Sequence, residues 1–460
     1  MTTLRDWLGL SVAGLLLTSC SGGGNGAHGC ILCAPEAWNL GGTVSGLVGS
    51  RLALQNNGVA ESFQIAPAAN GTYINLVSGS IAPGTAYSVT VQTQPTNPSQ
   101  TCLVANGSGS VAHANVTSIT VTCTTKPGRF IYVANSGSNN VSAYAINAGS
   151  GALTAVAGSP FTTGGSPSSL TVDSGGRFLY AGNQADNTIS AFAINTASGA
   201  LTLIAGSPVD TGSGPTAVAV DPAGTFLYVA NGSSGSVSAY AIAAGSGALT
   251  SVTGAPFMAG SAPSSLSVEP LGRSVYVANQ ADATVAVYAV GPSGALTVVS
   301  GSPFPVGLGP RYLTVDPSAR YVYVADSVAN TVSAFAVQGN GGAIAAINGS
   351  PFHTGTNPYA VVVDPGDHFV YVANQASNSM SIYSLGTNGA LAAVAGSPFP
   401  AGAGPASMAL DPTGRFMYVA NAPTGKVSAY NVDAASGALL PMVGSPFPAG
   451  SSPAAIAVSD

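Results

Sequence analysis

One unit of about 48 residues is repeated seven times between Lys126 and Asp460, and this repeat constrains the fold more than any other feature of the chain. The anchor is a Tyr-Val-Ala-Asn-like tetrapeptide whose tyrosines are Tyr132, Tyr180, Tyr228, Tyr276, Tyr323, Tyr371 and Tyr418. Their spacings are 48, 48, 48, 47, 48 and 47 residues. A Gly-Ser-Pro-Phe-like marker recurs at the same interval, from Gly158 to Gly444. So does a proline followed by an apolar alternation and an acid, as in Pro167 to Asp173 and Pro405 to Asp411. A period of 40 to 50 residues rich in β-branched residues and turn signals describes propeller blades. Seven copies predict seven blades.

Within a copy the pattern resolves into four antiparallel strands. Ser168–Val172 alternates with period two. Asp173-Ser174-Gly175-Gly176 turns the chain; a sister copy reads Asp411-Pro412-Thr413-Gly414, which suits a type I turn. Phe178–Ala181 is continuously apolar, as expected of a strand covered on both faces. Ile189–Ile194 and Leu201–Ile204 follow. The first copy opens on a second strand, Gly128–Tyr132, with no innermost strand before it. The matching segment, Ala454–Val458, stands at the far end. Closure of the ring by the C-terminal strand follows, and it removes the raw edges of an open array.

Residues 41–124 read as a separate module. Leu52–Gln55, Ser62–Ile65, Tyr87–Val91 and Ser118–Thr122 alternate, with turns at Asn56-Asn57-Gly58, Asn70-Gly71 and Asn106-Gly107. Short strands at such spacing predict a small β-sandwich, similar to immunoglobulin-like modules of bacterial surface proteins, with a spacer role. The fold class is therefore all-β: a seven-bladed β-propeller over 125–460 preceded by a β-sandwich.

The N-terminus carries Arg5, an apolar run from Trp7 to Leu17, and Leu17-Thr18-Ser19-Cys20. The run is too short to span a membrane and fits a signal peptide, 1–19. The tetrapeptide resembles the bacterial lipoprotein cleavage box, which implies lipidation of Cys20, a flexible tether over 20–40 and attachment to the cell envelope. Ser21 implies outer-membrane sorting by the same resemblance. Removing Cys20 leaves Cys30, Cys33, Cys102 and Cys123, an even set in an oxidising compartment. Cys102 and Cys123 are expected to staple the sandwich. Cys30-x-x-Cys33 is expected to be a local disulfide, a redox pair being the alternative. No second pair remains for zinc, and no metal or other cofactor is expected.

Charge narrows the partners. The chain is 6% charged with net charge −6, and from Lys126 onward 13 acids face 8 bases. Nucleic-acid binding calls for clustered Lys and Arg, and no such patch exists. The expected partners are the membrane, through the anchor, and an envelope protein or glycan; the protein is expected to be a monomer.

Copies such as Gly128-Arg129-Phe130-Ile131-Tyr132-Val133-Ala134-Asn135, and the run from Asp411 to Asn421, resemble the seven-bladed lactonase-type family. That family includes propeller 6-phosphogluconolactonases and surface-layer proteins with Tyr-Val-Thr-Asn repeats. The resemblance implies a site built on Gly-Pro-Arg-His at one innermost strand, a Glu after the next strand, and Pro-His at the following blade. Here those positions read Gly309-Pro310-Arg311-Tyr312, then Asp326-Ser327, then Pro358-Tyr359. Opening a lactone requires a base or activated water and donors for the developing oxyanion. Of that set only Arg311 is kept.

The repeat itself marks the same sector. The first positions of the innermost strands are Ser168, Thr216, Ser264, Arg311, Tyr359, Ala406 and Ala454. Five are small; Arg311 and Tyr359, with Tyr312 beside them, form a candidate pocket for a small anion or sugar. Among the four histidines, His28, His113, His353 and His368, only His353 is a candidate for the channel mouth. The once-per-blade acids from Asp173 to Asp411 suggest a metal ring, but each opens a turn in which Asp caps its own backbone. The functional expectation is a non-catalytic binding or scaffold protein at the envelope, with a lactone hydrolase using a degenerate site around Arg311 as the alternative.

Overall fold

The computed structural model describes residues 38–459, apart from 58, 66–72, 76–80, 97–99 and 127. Cys20, Cys30 and Cys33 lie outside the described residues. Two four-stranded sheets come first. One has the order β4 (Tyr73–Asn75), β1 (Leu40–Ser45), β8 (Val116–Thr125), β6 (Gln100–Ala105). The other runs β3 (Val59–Ile65), β2 (Leu52–Asn56), β5 (Ala86–Thr93), β7 (Ser108–Ser110). Leu40, Val44, Leu52, Leu54, Val89, Ile119 and Val121 share one buried core between them. Cys102 and Cys123 oppose each other across β6 and β8 and are joined by a disulfide. Ser50 Oγ donates to the Pro270 carbonyl at 2.8 Å, which fastens this unit to a turn of the propeller.

Seven further sheets form the propeller. Blade 1 contains β9 (Phe130–Asn135), β10 (Asn140–Ile146), β11 (Leu153–Ala155) and β12 (Phe161–Thr162). Its innermost strand is Pro453–Ser459, which pairs antiparallel with β9 through Ile456↔Val133 and Val458↔Ile131. The ring is closed by the C-terminal strand. The other six blades run in order from the axis outward, as in Pro167–Val172, Phe178–Asn183, Thr188–Ile194 and Leu201–Leu203.

Each blade holds five strands rather than four. The Gly-Ser-Pro-Phe marker produces the extra one. The serine hydroxyl accepts from the third strand's backbone where the fourth strand departs, as Ser159 Oγ does from Ala143 N at 2.9 Å. The chain then re-pairs with the other end of the third strand for two residues, as Phe161↔Val141.

The Tyr-Val-Ala-Asn anchor is explained by contacts between blades. Its tyrosine is wholly buried, and in six of seven blades the phenol donates to a glycine carbonyl of the next blade. Tyr132 reaches Gly199 at 3.0 Å, and Tyr418 reaches Gly151 at 2.7 Å across the closure. Gly199 has φ +77°, and a Cβ there would lie 2.4 Å from the Phe130 ring, so this turn admits glycine alone. Burial raises these phenols far above the ordinary tyrosine range.

The anchor's asparagine binds its own blade. Asn135, Asn183, Asn231, Asn374 and Asn421 donate to a serine hydroxyl seven residues on, at 2.8–3.0 Å. The recurrent acids cap their turns: Asp221 Oδ1 accepts from Thr225 N at 2.6 Å and Phe226 N at 2.7 Å. Among the described residues no group of three or more His, Cys, Asp or Glu is placed to hold a metal ion.

Candidate functional site

The innermost strands surround an axial cavity of about 240 Å3. Its walls follow from the start of each strand, where the proline is buried and the next residue faces the lumen. Ser168, Thr216, Ser264, Arg311, Tyr359, Ala406 and Ala454 all line it, and so does Tyr312. In blades 2 to 4 the first-position hydroxyl is used structurally. Ser168 Oγ donates to the Pro215 carbonyl, Thr216 Oγ1 to Pro263 and Ser264 Oγ to Pro310, each at 2.7 Å. This series ties one innermost strand to the next and ends at Arg311, where a long cation replaces the short hydroxyl.

Arg311 crosses to blade 6. Its guanidinium carbon lies 4.4 Å from the centre of the Tyr359 ring, and Nη2 donates to the Tyr359 hydroxyl. The contact combines a cation–π interaction with a hydrogen bond and ties the guanidinium to the Tyr359 side chain. Tyr312 keeps 37% of its surface open, but that surface faces the lumen. The surrounding strands push its phenol above the ordinary value, so it holds its proton at neutral pH.

A second cavity, of about 530 Å3, opens at the mouth between blades 5 and 6. Gln280, Arg311, Ser327, Val328, Asn330, Thr356, Asn357 and Tyr359 line it. Arg311 and Tyr359 line both cavities, so the guanidinium stands where the two adjoin. Across both linings Arg311 is the one charged side chain among the described residues, and there is no carboxylate or imidazole. Such a surface can bind an oxyanion through Arg311 and polar groups through Gln280, Asn330 and Asn357. It offers no group that accepts a proton near neutrality.

His353 does not join this site. It sits exposed on the two-residue strand Phe352–His353, paired with Thr331 of the third strand, and its carbonyl accepts from the Tyr383 hydroxyl. The marker's re-pairing carries it to the outer side of the blade rather than to the mouth. His368 lies at the opposite end of the propeller, 3.5 Å from Asp364 in a turn.

Asp326, in the same blade as Arg311, replaces the anchor asparagine of the sister copies. It is fully buried and accepts from Ser333 Oγ at 2.6 Å and from Thr331 Oγ1 at 3.3 Å. Burial pushes its carboxyl up to about 6, against the lowering effect of these hydrogen bonds. It lies behind the cavity wall and lines neither cavity. The sequence signals it through Tyr323-Val324-Ala325-Asp326, the one copy in which the anchor ends in an acid.

The profile of the seven-bladed β-propeller lactonase family matches residues 90–213, 205–303 and 291–456. No curated protein matches the chain by sequence. Among solved structures, a candidate 6-phosphogluconolactonase from Bacteroides fragilis superposes with a TM-score of 0.65 at 20% identity, covering 72% of this chain and 98% of that one. A periplasmic gluconolactonase from Pseudomonas aeruginosa superposes with a TM-score of 0.62 at 22% identity, covering 72% and 99%. At such identities the superpositions establish the fold alone. With the repeat, the closed ring and the profile in agreement over the whole propeller, the chain belongs to the seven-bladed β-propeller lactonase family.

Proposed function

We propose that this chain is a ligand-binding member of the family, which uses the Arg311 sector to hold a small anion without hydrolysing it. The reading rests on one observation: the linings of the two adjoining cavities have a single cation and no carboxylate or imidazole among the described residues. A phosphorylated lactone calls for several cations, and lactone opening calls for a base. Tyr312 and Tyr359 stand where the family pattern has histidines, and a phenol is a poor base at neutral pH. The test is lactone disappearance with purified protein, corrected for spontaneous hydrolysis, on 6-phosphogluconolactone and gluconolactone. No rate above background is expected. A rate that Arg311→Ala abolishes would overturn the reading and establish a lactone hydrolase, the alternative that family membership favours.

The Leu17-to-Cys20 box supports a lipid anchor at the cell envelope, with the module over 41–124 as spacer and the propeller as binding or scaffold unit. Cys20→Ser is expected to move the protein from the membrane fraction to the soluble fraction. A variant that still sediments with membranes rules out this anchor.

A further inference from the structure

Seven copies of one unit give each position of the mouth an internal control. Two residues before the innermost proline, six copies carry Gly165, Ser213, Ser261, Thr356, Ala403 and Ser451; blade 5 carries Leu308. Two residues after the anchor's last residue, six copies carry Gly137, Ala185, Ser233, Ala281, Ala376 and Pro423; blade 5 carries Val328. Leu308 is 62% exposed and Val328 65% exposed. The turns do not need these side chains, because the sister blades make the same turns with small residues. The Leu308 carbonyl accepts from Val328 N at 3.1 Å and from Ala329 N at 3.2 Å, so the two loops that carry them are tied together. Val328 shares the mouth cavity with Arg311 and Tyr359. Thus the blade that departs from the repeat at its cation departs from it again, twice, by placing apolar surface in water on the same end of the ring.

We propose that Leu308 and Val328 form an apolar lip to the Arg311 site, and that the site takes an amphipathic monoanion: a carboxylate carrying an aliphatic chain, not a polyhydroxylated sugar acid. This rests on the preceding reading that the Arg311 sector binds an anion. The guanidinium, fixed over the Tyr359 ring, takes the carboxylate, and the chain runs outward over Val328 and Leu308. Each methylene withdrawn from water strengthens binding, by about fourfold when fully buried.

The test is isothermal titration of the full-length protein with butanoate, hexanoate and octanoate, and with gluconate as the hydrophilic comparison. Wild type is expected to bind the three carboxylates with affinity rising at least twofold per methylene, and Arg311→Ala to lose the whole series. Leu308→Ser with Val328→Ala, the residues of sister blades, is expected to reduce the octanoate-to-butanoate ratio to under twofold. Arg311-dependent binding of gluconate with no rise along the series overturns the amphipathic ligand and leaves the anion site standing. A steep series that survives the double variant overturns the lip. The absence of Arg311-dependent binding by any of the four overturns both readings.

Discussion

Replacing Asp326 by asparagine is expected to stabilise the propeller at neutral pH and to change little at pH 4. At the equivalent place, five sister asparagines donate an amide hydrogen to a serine. An ionised Asp326 cannot donate, so Ser333 must turn its hydroxyl toward the carboxylate instead. Burial raises the carboxyl from 3.8 to about 6. Below the unfolded value both states are protonated and the burial costs nothing. Between the two values the unfolded chain ionises while the folded chain keeps its proton, so stability falls as pH rises. Above the folded value the loss is constant. A rise of two units at 1.36 kcal/mol each makes it about 3 kcal/mol. With an unfolding entropy of roughly 2.1 cal/mol/K per residue over some 330 residues, that corresponds to a gain in Tm of about 4 °C for Asp326→Asn at pH 7.5. Asp316, also pushed to about 6, is common to both proteins and cancels in the difference. Thermal melts of both proteins at pH 4 and pH 7.5 decide the matter. An equal Tm difference at the two pH values would refute the reasoning, since the gain must grow with ionisation.

Two further outcomes follow from the contacts between strands. Tyr228→Phe deletes the donor to the Gly294 carbonyl, 3.1 Å away in the next blade, and leaves a buried acceptor unanswered; melts should show a loss of about 1–3 kcal/mol, and an unchanged Tm would show that the staple contributes nothing. Deleting 454–460 removes most of the innermost strand of blade 1, with about 1.5–3 kcal/mol of burial from Ile456 alone, and exposes the edge of β9; the truncated protein should aggregate or melt many degrees lower, and an intact melt would show that this strand does not close the ring.

The propeller was legible because its period is long, strict and repeated. Each strand of four or more residues announces itself by alternation or by a continuous apolar run, and the displaced last copy reveals the closure. The two-residue strands such as β12 were not legible, since two residues carry no period. For that reason the sequence leaves His353 between the channel mouth and a solvated loop: the segment toward the next blade first re-pairs with the third strand. In the sandwich, β4 and β7 are three residues each, and β1 opens with Leu40-Gly41-Gly42, which shows little strand propensity. Gly42 is required there because a Cβ would lie 2.0 Å from the Ile119 carbonyl oxygen on β8. Arg311, Tyr312 and Tyr359 could be found because they interrupt a column of small residues. Leu308 and Val328 interrupt equally clear columns, but an apolar residue in a turn draws less notice than a charge in a channel.

The seam in blade 1 also sets an order of events in folding. Hairpins within a blade join residues a few positions apart, and adjacent blades meet within about one repeat. The pairing of Ile456 with Val133 joins segments more than 300 residues apart in the chain. Bringing such ends together costs an entropy that grows as the logarithm of the loop, about 5 kcal/mol for a chain of this length. Pre-assembly of the intervening blades into an arc shortens the gap that must be searched. Blade 1 is then expected to form last and to open first among the blades, so hydrogen exchange on β9 and its C-terminal partner should be faster than on the matching strand pairs of the other blades. Around a ring of seven, blades 4 and 5 stand furthest from that seam. Arg311, Leu308 and Val328 therefore occupy a sector that opening at the seam is expected to disturb least, which would keep the mouth intact while blade 1 exchanges.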